Sequence, residues 1–284
     1  MTAGLAAPPA PEPHTTMALI HAEFYSDVLE LSSSIDVLLP QRRQGRGAAE
    51  TVAWRAPYPV LYLLHGGSGN HTDWQRNTSI ERYAAGLGLI VVMPAVQYSF
   101  YADQKYGFRY FTYLSEELPA IVRDLFHASD HPEDTFAAGL SMGGYGAFKL
   151  GITRPDRFAA VASLSGSLSQ RSRILPDSAL RNQVMREMAQ LTFGSTEEYD
   201  RSENDLAWQL ERHLDAGTTL PKFYQACGTE DHNFEINLAF ERQFRDRIDL
   251  TYCEAPGQGH EWSFWDEQIQ RVLIWLPLRR SEDA

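Results

Sequence analysis

Short unbroken apolar runs alternate along the chain with longer segments of helical spacing, and this alternation most narrows the folds open to it. Residues 59–64 (PVLYLL) form one run, ending in the turn HGGSGN; residues 72–85 follow, with Trp74, Ile80 and Tyr83 recurring on one face. The unit repeats as LIVVMP (89–94), an aromatic loop and helical spacing over 112–127, where Pro119 predicts a kink. DTFAAGL then precedes a helical SMGGYGAFKLGITR. FAAVASLSG, FYQACG and DLTYCEA supply three more strands, with NFEINLAFERQFRDR and EWSFWDEQIQRVLIWL as helices. A strand apolar throughout must be covered on both faces, so the pattern predicts an α/β protein with a mostly parallel central sheet and helices on both sides. Ahead of it, ALIHAEFYSDVL and SSIDVLLP alternate as an antiparallel pair open to water on one face would, and QRRQGRGAAE reads as a loop. Residues 168–220 break the rhythm. They are polar and longer than a usual crossover, and predict a lid-like excursion with helices near 178–191 and 204–214.

The length of 284 residues suits one α/β domain over residues 17–284. Residues 1–16, rich in Ala, Pro and Thr, read as a disordered leader or an appended remnant. With 25 Lys and Arg against 37 Asp and Glu, the net charge of −12 repels a phosphate backbone, and no basic run offsets it, so no nucleic-acid partner is expected. The longest apolar run, LGLIVVMPAV, is far short of a membrane span. No basic n-region precedes an apolar stretch at the N-terminus, and the two cysteines, Cys227 and Cys253, lack the spacing of a zinc site or disulfide scaffold. A cytoplasmic protein without a membrane partner is the expectation.

Gly139-Leu140-Ser141-Met142-Gly143 matches G-x-S-x-G in the setting it requires, a strand before and a helix after. A serine on such a sharp turn is strained. Gly139, Gly143 and Gly144 leave room for neighbouring chains, and the helix aims its first N–H groups at the site of a developing oxyanion. This nucleophile elbow points to an α/β-hydrolase fold with Ser141 as nucleophile. The base of such a site comes last in the chain, and His260 stands in the loop between the last strand and last helix, after Pro256-Gly257-Gln258-Gly259. The acid should leave the strand FYQACG, at Gly228-Thr229-Glu230-Asp231. Asp231 is the candidate; Glu230 and Glu235 compete with it, since either acid type serves. Of the two amide donors a tetrahedral intermediate needs, one is Met142. The other comes from His65-Gly66-Gly67-Ser68-Gly69, with Gly67 chosen because it lacks a Cβ. A phosphate-cradling loop is the rival reading of HGGSG, but no GK[ST] or GxGxxG pattern accompanies it.

Tyr98, Phe100, Tyr101, Tyr106, Phe108, Tyr110, Phe111 and Tyr113 crowd the segment after LIVVMP. Half of them suit the core. The segment's place at the serine's edge of the sheet also suits an acyl or aryl pocket, with His65, Gly66, Tyr106, Phe108 and Trp262 as candidate substrate-binding residues and Trp265 as a further wall.

On HGGSGNHTDW, YGFRYFTYLSEELP, GLSMGGYGAFKLG, CGTED and GQGHEW, the chain from about Met17 to Leu278 resembles the esterase D group, which includes tributyrin esterases, S-formylglutathione hydrolases, and acetyl and feruloyl esterases. The resemblance is nearest to the bacterial tributyrin-esterase branch. It implies a carboxylesterase for short acyl esters, with Ser141 nucleophile, Asp231 acid, His260 base and Gly67 and Met142 amide donors. It implies no metal or organic cofactor, a small-molecule ester as partner, and a homo-oligomer. S-formylglutathione hydrolases would be expected to carry a serine-glycine-leucine type turn where this chain has HGGSG. The Met after the serine also resembles mycolyl-transfer enzymes. Two alternatives stay open: a thioesterase of the S-formylglutathione hydrolase type, and a catalytically inactive hydrolase fold used for binding.

Overall fold

The alternation of the first segments becomes a hairpin of β1 (Met17–Ser26) and β2 (Leu31–Pro40), Met17 opposite Pro40 and Ser26 opposite Leu31, with buried and open residues alternating along β1. The computed structural model describes residues 17–41, 56–175 and 183–278. The leader at 1–16, nearly all of the loop at 41–50 and the start of the helix read at 178–191 lie outside them.

The apolar runs become β3 (Val60–Leu64), β4 (Ile90–Pro94), β5 (Thr135–Leu140), β6 (Ala160–Leu164), β7 (Lys222–Gly228) and β8 (Leu250–Ala255). All join one eight-stranded sheet of order β1-β2-β4-β3-β5-β6-β7-β8, in which β1–β2 and β2–β4 are antiparallel and every later pair parallel. Side chains alternate between faces, so β3 divides its burial: Val60, Tyr62 and Leu64 enter one apolar cluster, Leu61 and Leu63 the other.

Among the described residues the strands are connected through the helices α1 (Asp73–Asn77), α2 (Ile80–Ala84), α3 (Tyr110–Thr112), α4 (Leu118–Phe126), α5 (Met142–Thr153), α6 (Arg171–Ile174), α7 (Gln183–Phe193), α8 (Thr196–Tyr199), α9 (Leu206–Asp215) and α10 (Phe234–Phe244), and α11 (Trp262–Trp275) follows β8. Tyr145 and Phe148 of α5 and Phe240 of α10 pack in the first cluster; Ile269 and Val272 of α11 pack in the second with Ile80 of α2.

Two elements differ from the sequence reading. The single helix expected at 72–85 is broken, because Thr78 turns extended, adds a hydroxyl bond to Trp74 O and accepts from Ile80 N, whose N–H is thereby diverted from a helical acceptor. Near Pro119, where the sequence predicts a kink, the irregularity lies one turn earlier: a π turn over Tyr113–Glu117 joins α3 to α4 and puts the proline in the first turn of α4. Ser115 O, the acceptor that a proline at position 119 cannot serve, receives Arg157 Nη1 instead. No helix among the described residues is long and apolar enough to cross a membrane.

Candidate active site

At the end of β5 the backbone of Ser141 takes φ +53° and ψ −113°, outside the region a side chain ordinarily tolerates, at a cost of about 1–3 kcal/mol. Packing enforces it. A Cβ on Gly143 would stand 2.4 Å from Leu64 O and 2.7 Å from His65 O, and one on Gly139 would stand 2.4 Å from Gly143 O, so only glycine lets the elbow fit against the end of β3. Ser141 N donates to Leu164 O at 2.8 Å, and Ser141 O accepts from Ser167 N at 3.1 Å, tying the turn to β6 and the loop beyond it. Helix α5 starts at the next residue, so the first-turn N–H groups from Met142 onward have no acceptor within the helix.

Asp231 leaves β7 and His260 leaves β8, and backbone bonds lock the two loops together: Thr229 N donates to Ala255 O and Glu230 N to Gln258 O, both at 3.0 Å. His260 Nδ1 lies 2.9 and 3.0 Å from the two oxygens of Asp231, whose side chain is fully buried. Asn233 N donates to Asp231 Oδ1 at 2.7 Å, and Trp265 Nε1 donates to Ser165 Oγ at 3.0 Å, orienting that hydroxyl toward the carboxylate. Burial alone would raise the Asp231 carboxyl, but the hydrogen bond and charge of His260, with the bonds from Ser165 and Asn233, hold it below its ordinary value. Trp265 also meets the His260 ring edge-on at 4.8 Å. The competing carboxylates, Glu230 and Glu235, are exposed.

Ser141 and His260 open into one cleft of about 540 Å³, walled by Gly66, Gly67, Tyr98, Met142, Trp262 and Trp265. A Cβ on Gly66 would come within 3.8 Å of Ser141 Cβ, so the glycine loop after β3 passes directly over the serine. Of the expected pocket residues, Gly66 and Trp262 are here. His65 is not: it is 1% exposed, its Nδ1 bonds Gly66 O at 2.7 Å and its Nε2 accepts Val96 N at 3.2 Å, so it braces the glycine loop from beneath. Burial pushes its pKa down to about 4, and the ring is neutral. Tyr106 and Phe108 are 65% and 46% exposed and lie outside the cleft lining, because their segment turns outward toward α7 and α8, where Lys105 pairs with Glu198. Tyr98 and Phe100 of the same segment reach the cleft, while Tyr101 and Tyr113 are core.

Sequence reasoning missed Ser165, Ser167, Asn233, Arg173 and Met185. The last two come from the excursion, which forms a wall of the cleft. Only the Ser165-Gly166-Ser167 run after β6 carried a signal, in its small polar residues at a strand end. Asp231, His232 and His260 hold donor atoms within 4.8 Å that could meet a metal, but Asp231 is already committed to His260 and Asn233.

A serine at a strained strand-to-helix turn, on a sheet antiparallel at one edge and parallel beyond, is the architecture of the α/β-hydrolase serine hydrolases. The chain belongs to the Esterase family, whose profile matches residues 34–276, and its class is that of the carboxylic ester hydrolases. It is 28% identical over 263 residues to an acetyl esterase of Caldicellulosiruptor saccharolyticus, across 92% of this chain and 98% of that one. The fluorophosphonate-binding serine hydrolase F of Staphylococcus aureus, solved with substrate bound, is 31% identical with a TM-score of 0.79, covering 92% of this chain and 98% of that one. An S-formylglutathione hydrolase from Staphylococcus aureus, solved as the apoenzyme, is 31% identical with a TM-score of 0.78, covering 92% and 99%.

Proposed function

We propose that the protein is a serine carboxylesterase that cleaves short-chain acyl esters through Ser141, His260 and Asp231. The observation that carries the reading is the bond from His260 Nδ1 to both oxygens of buried Asp231, on the same cleft that receives the strained Ser141. With Nδ1 held there, Nε2 is the nitrogen that takes the Ser141 proton. Ser141 Oγ bonds to the ester carbonyl carbon, whose oxygen becomes an oxyanion facing the N–H groups of Met142 and Gly67. The carbon–oxygen bond to the alcohol breaks, and His260 returns its proton to the departing oxygen. Water, deprotonated by His260, then attacks the acyl-enzyme, releasing the acid and restoring Ser141. Asp231 stays ionised throughout and stabilises the imidazolium.

Trp262, Trp265, Tyr98 and Met142 give the cleft walls suited to a small acyl group, and the acetyl esterase relative favours the same range. The free thiols Cys227 and Cys253 suit a cytoplasmic site. A second reading, thioester hydrolysis, is favoured by the S-formylglutathione hydrolase relative. The deciding experiment follows p-nitrophenol release from acetate, butyrate and octanoate esters by wild type and Ser141→Ala, beside S-formylglutathione. Rapid cleavage of the short oxyesters, abolished in Ser141→Ala, is expected. Preference for the thioester would move the protein to the second reading, and no turnover of either would leave a hydrolase fold used for binding.

A further inference from the structure

We propose that Arg173 makes the cleft selective for esters that carry a carboxylate near the scissile bond. The proposal rests on the esterase reading above and names the substrate class of that site.

Arg173 stands on α6, 8% exposed, and lines the cleft with Ser141 and His260. Two residues earlier on the same short helix, Arg171 pairs with Asp200 at 2.9 Å. Arg173 has no such partner: among the described residues no carboxylate lies within ion-pair distance of it, and its Nη1 donates only to the Met185 thioether, a weak acceptor. Its position is further marked by His232, also on the cleft, whose ring is disfavoured as a cation by burial and by the charges of His260 and Arg173. The other carboxylate or guanidinium side chains lining the cleft, Asp73 and Glu261, are acidic, so Arg173 is the cleft's cationic anchor, apart from the amides at Ser141. Also on the cleft, Ser167, 2% exposed, accepts at Oγ from Gln170 Nε2 and keeps its own O–H to donate.

A guanidinium removed from water without a counter-charge is costly, and burial holds the Arg173 guanidinium below its usual pKa. A substrate carboxylate reverses that cost, because the planar fork of N–H donors matches its two oxygens. An anion held there places the rest of the ester along the cleft toward Ser141, which turns binding into orientation of the reacting bond.

The test compares matched pairs: p-nitrophenyl hemiglutarate against p-nitrophenyl pentanoate for a charge on the acyl side, and O-acetyl-lactate against O-acetyl-lactamide for a charge on the alcohol side. Wild type should give the higher kcat/KM for the anionic member of at least one pair. In Arg173→Gln the anionic-to-neutral ratio for that pair should fall on the order of 10- to 100-fold, the range of a hydrogen bond to a charged group, while Arg173→Lys keeps part of it. Calorimetry with glutarate and O-acetyl-lactate on Ser141→Ala supplies a reading without chemistry; binding should vanish in the Ser141→Ala, Arg173→Gln double variant. If wild type turns over no ester, the esterase reading falls and calorimetry alone decides this one. The proposal is overturned by a wild type that prefers the neutral member of both pairs, by a ratio indifferent to Arg173→Gln, or by anion binding that does not depend on Arg173. Should the Gln variant not fold, the ratio in Arg173→Lys against wild type makes the same comparison.

Discussion

Lowering the pH should destabilise this protein through His65, and replacing that residue should remove the effect. Its ring is full in the neutral form: Nδ1–H donates to Gly66 O at 2.7 Å and Nε2 accepts Val96 N–H at 3.2 Å. A proton added to Nε2 would face the Val96 N–H, inside a site that is 1% exposed. Burial, only partly offset by the Gly66 carbonyl and Asp73, brings the pKa from 6.5 to about 4. An unfolded chain protonates this histidine near pH 6.5 and the folded chain does not until near pH 4, so stability is complete above 6.5 and is lost as pH falls between those values. At about 1.4 kcal/mol per unit, the loss amounts to about 3 kcal/mol. Urea unfolding at pH 7.5, 6 and 5, for wild type and His65→Gln, measures it. Glutamine cannot titrate, and its amide oxygen can still accept from Val96. At pH 7.5 the variant should be the less stable by about 1 kcal/mol for the lost Gly66 bond, and the gap should close and then reverse as pH falls. A gap that stays constant with pH would refute the reasoning.

Asp231→Asn should lower kcat by about four orders of magnitude, as loss of the orienting acid does in other triads, whereas Glu230→Gln should change it little; p-nitrophenyl acetate hydrolysis distinguishes them. Gly143→Ala places a methyl 2.4 Å from Leu64 O and should cost about 1–3 kcal/mol in thermal unfolding, with activity falling as the elbow shifts. Trp265→Phe keeps a ring against His260 but removes the donor to Ser165 Oγ, so kcat should drop several-fold, about 0.5–1.5 kcal/mol, with KM little moved.

The strands were legible because five or six apolar residues in a row leave little else for residues such as those of β3 and β4 to be, and the excursion stood out by its polarity. The break at Thr78 was not, since a threonine hydroxyl bonding Trp74 O and Ile80 N leaves the helical spacing of Trp74, Ile80 and Tyr83 intact. Ser141 and His260, and Asp231 with Glu230 and Glu235 as competitors, follow from chain order and strand ends; Ser141 and His260 line one cleft, and Asp231 lies buried against His260 Nδ1. The role of His65 could not be read, because a histidine before two glycines looks the same whether its ring faces a ligand or two backbone groups. Arg173 was equally hidden: four residues of helix carry no periodicity, and only three dimensions separate it from Arg171, which faces solvent and an aspartate.

The order of β5, β7 and β8 along the chain sets when the site comes into being during synthesis. The elbow rests on β3, β5 and β6, which precede β8 in the chain, whereas His260 belongs to the connection from β8 to α11 and is met edge-on by Trp265 of α11. Under the proposed mechanism, a chain in which β3, β5 and β6 have formed but β8 and α11 have not carries its serine without a base, and an unassisted serine hydroxyl is a poor nucleophile.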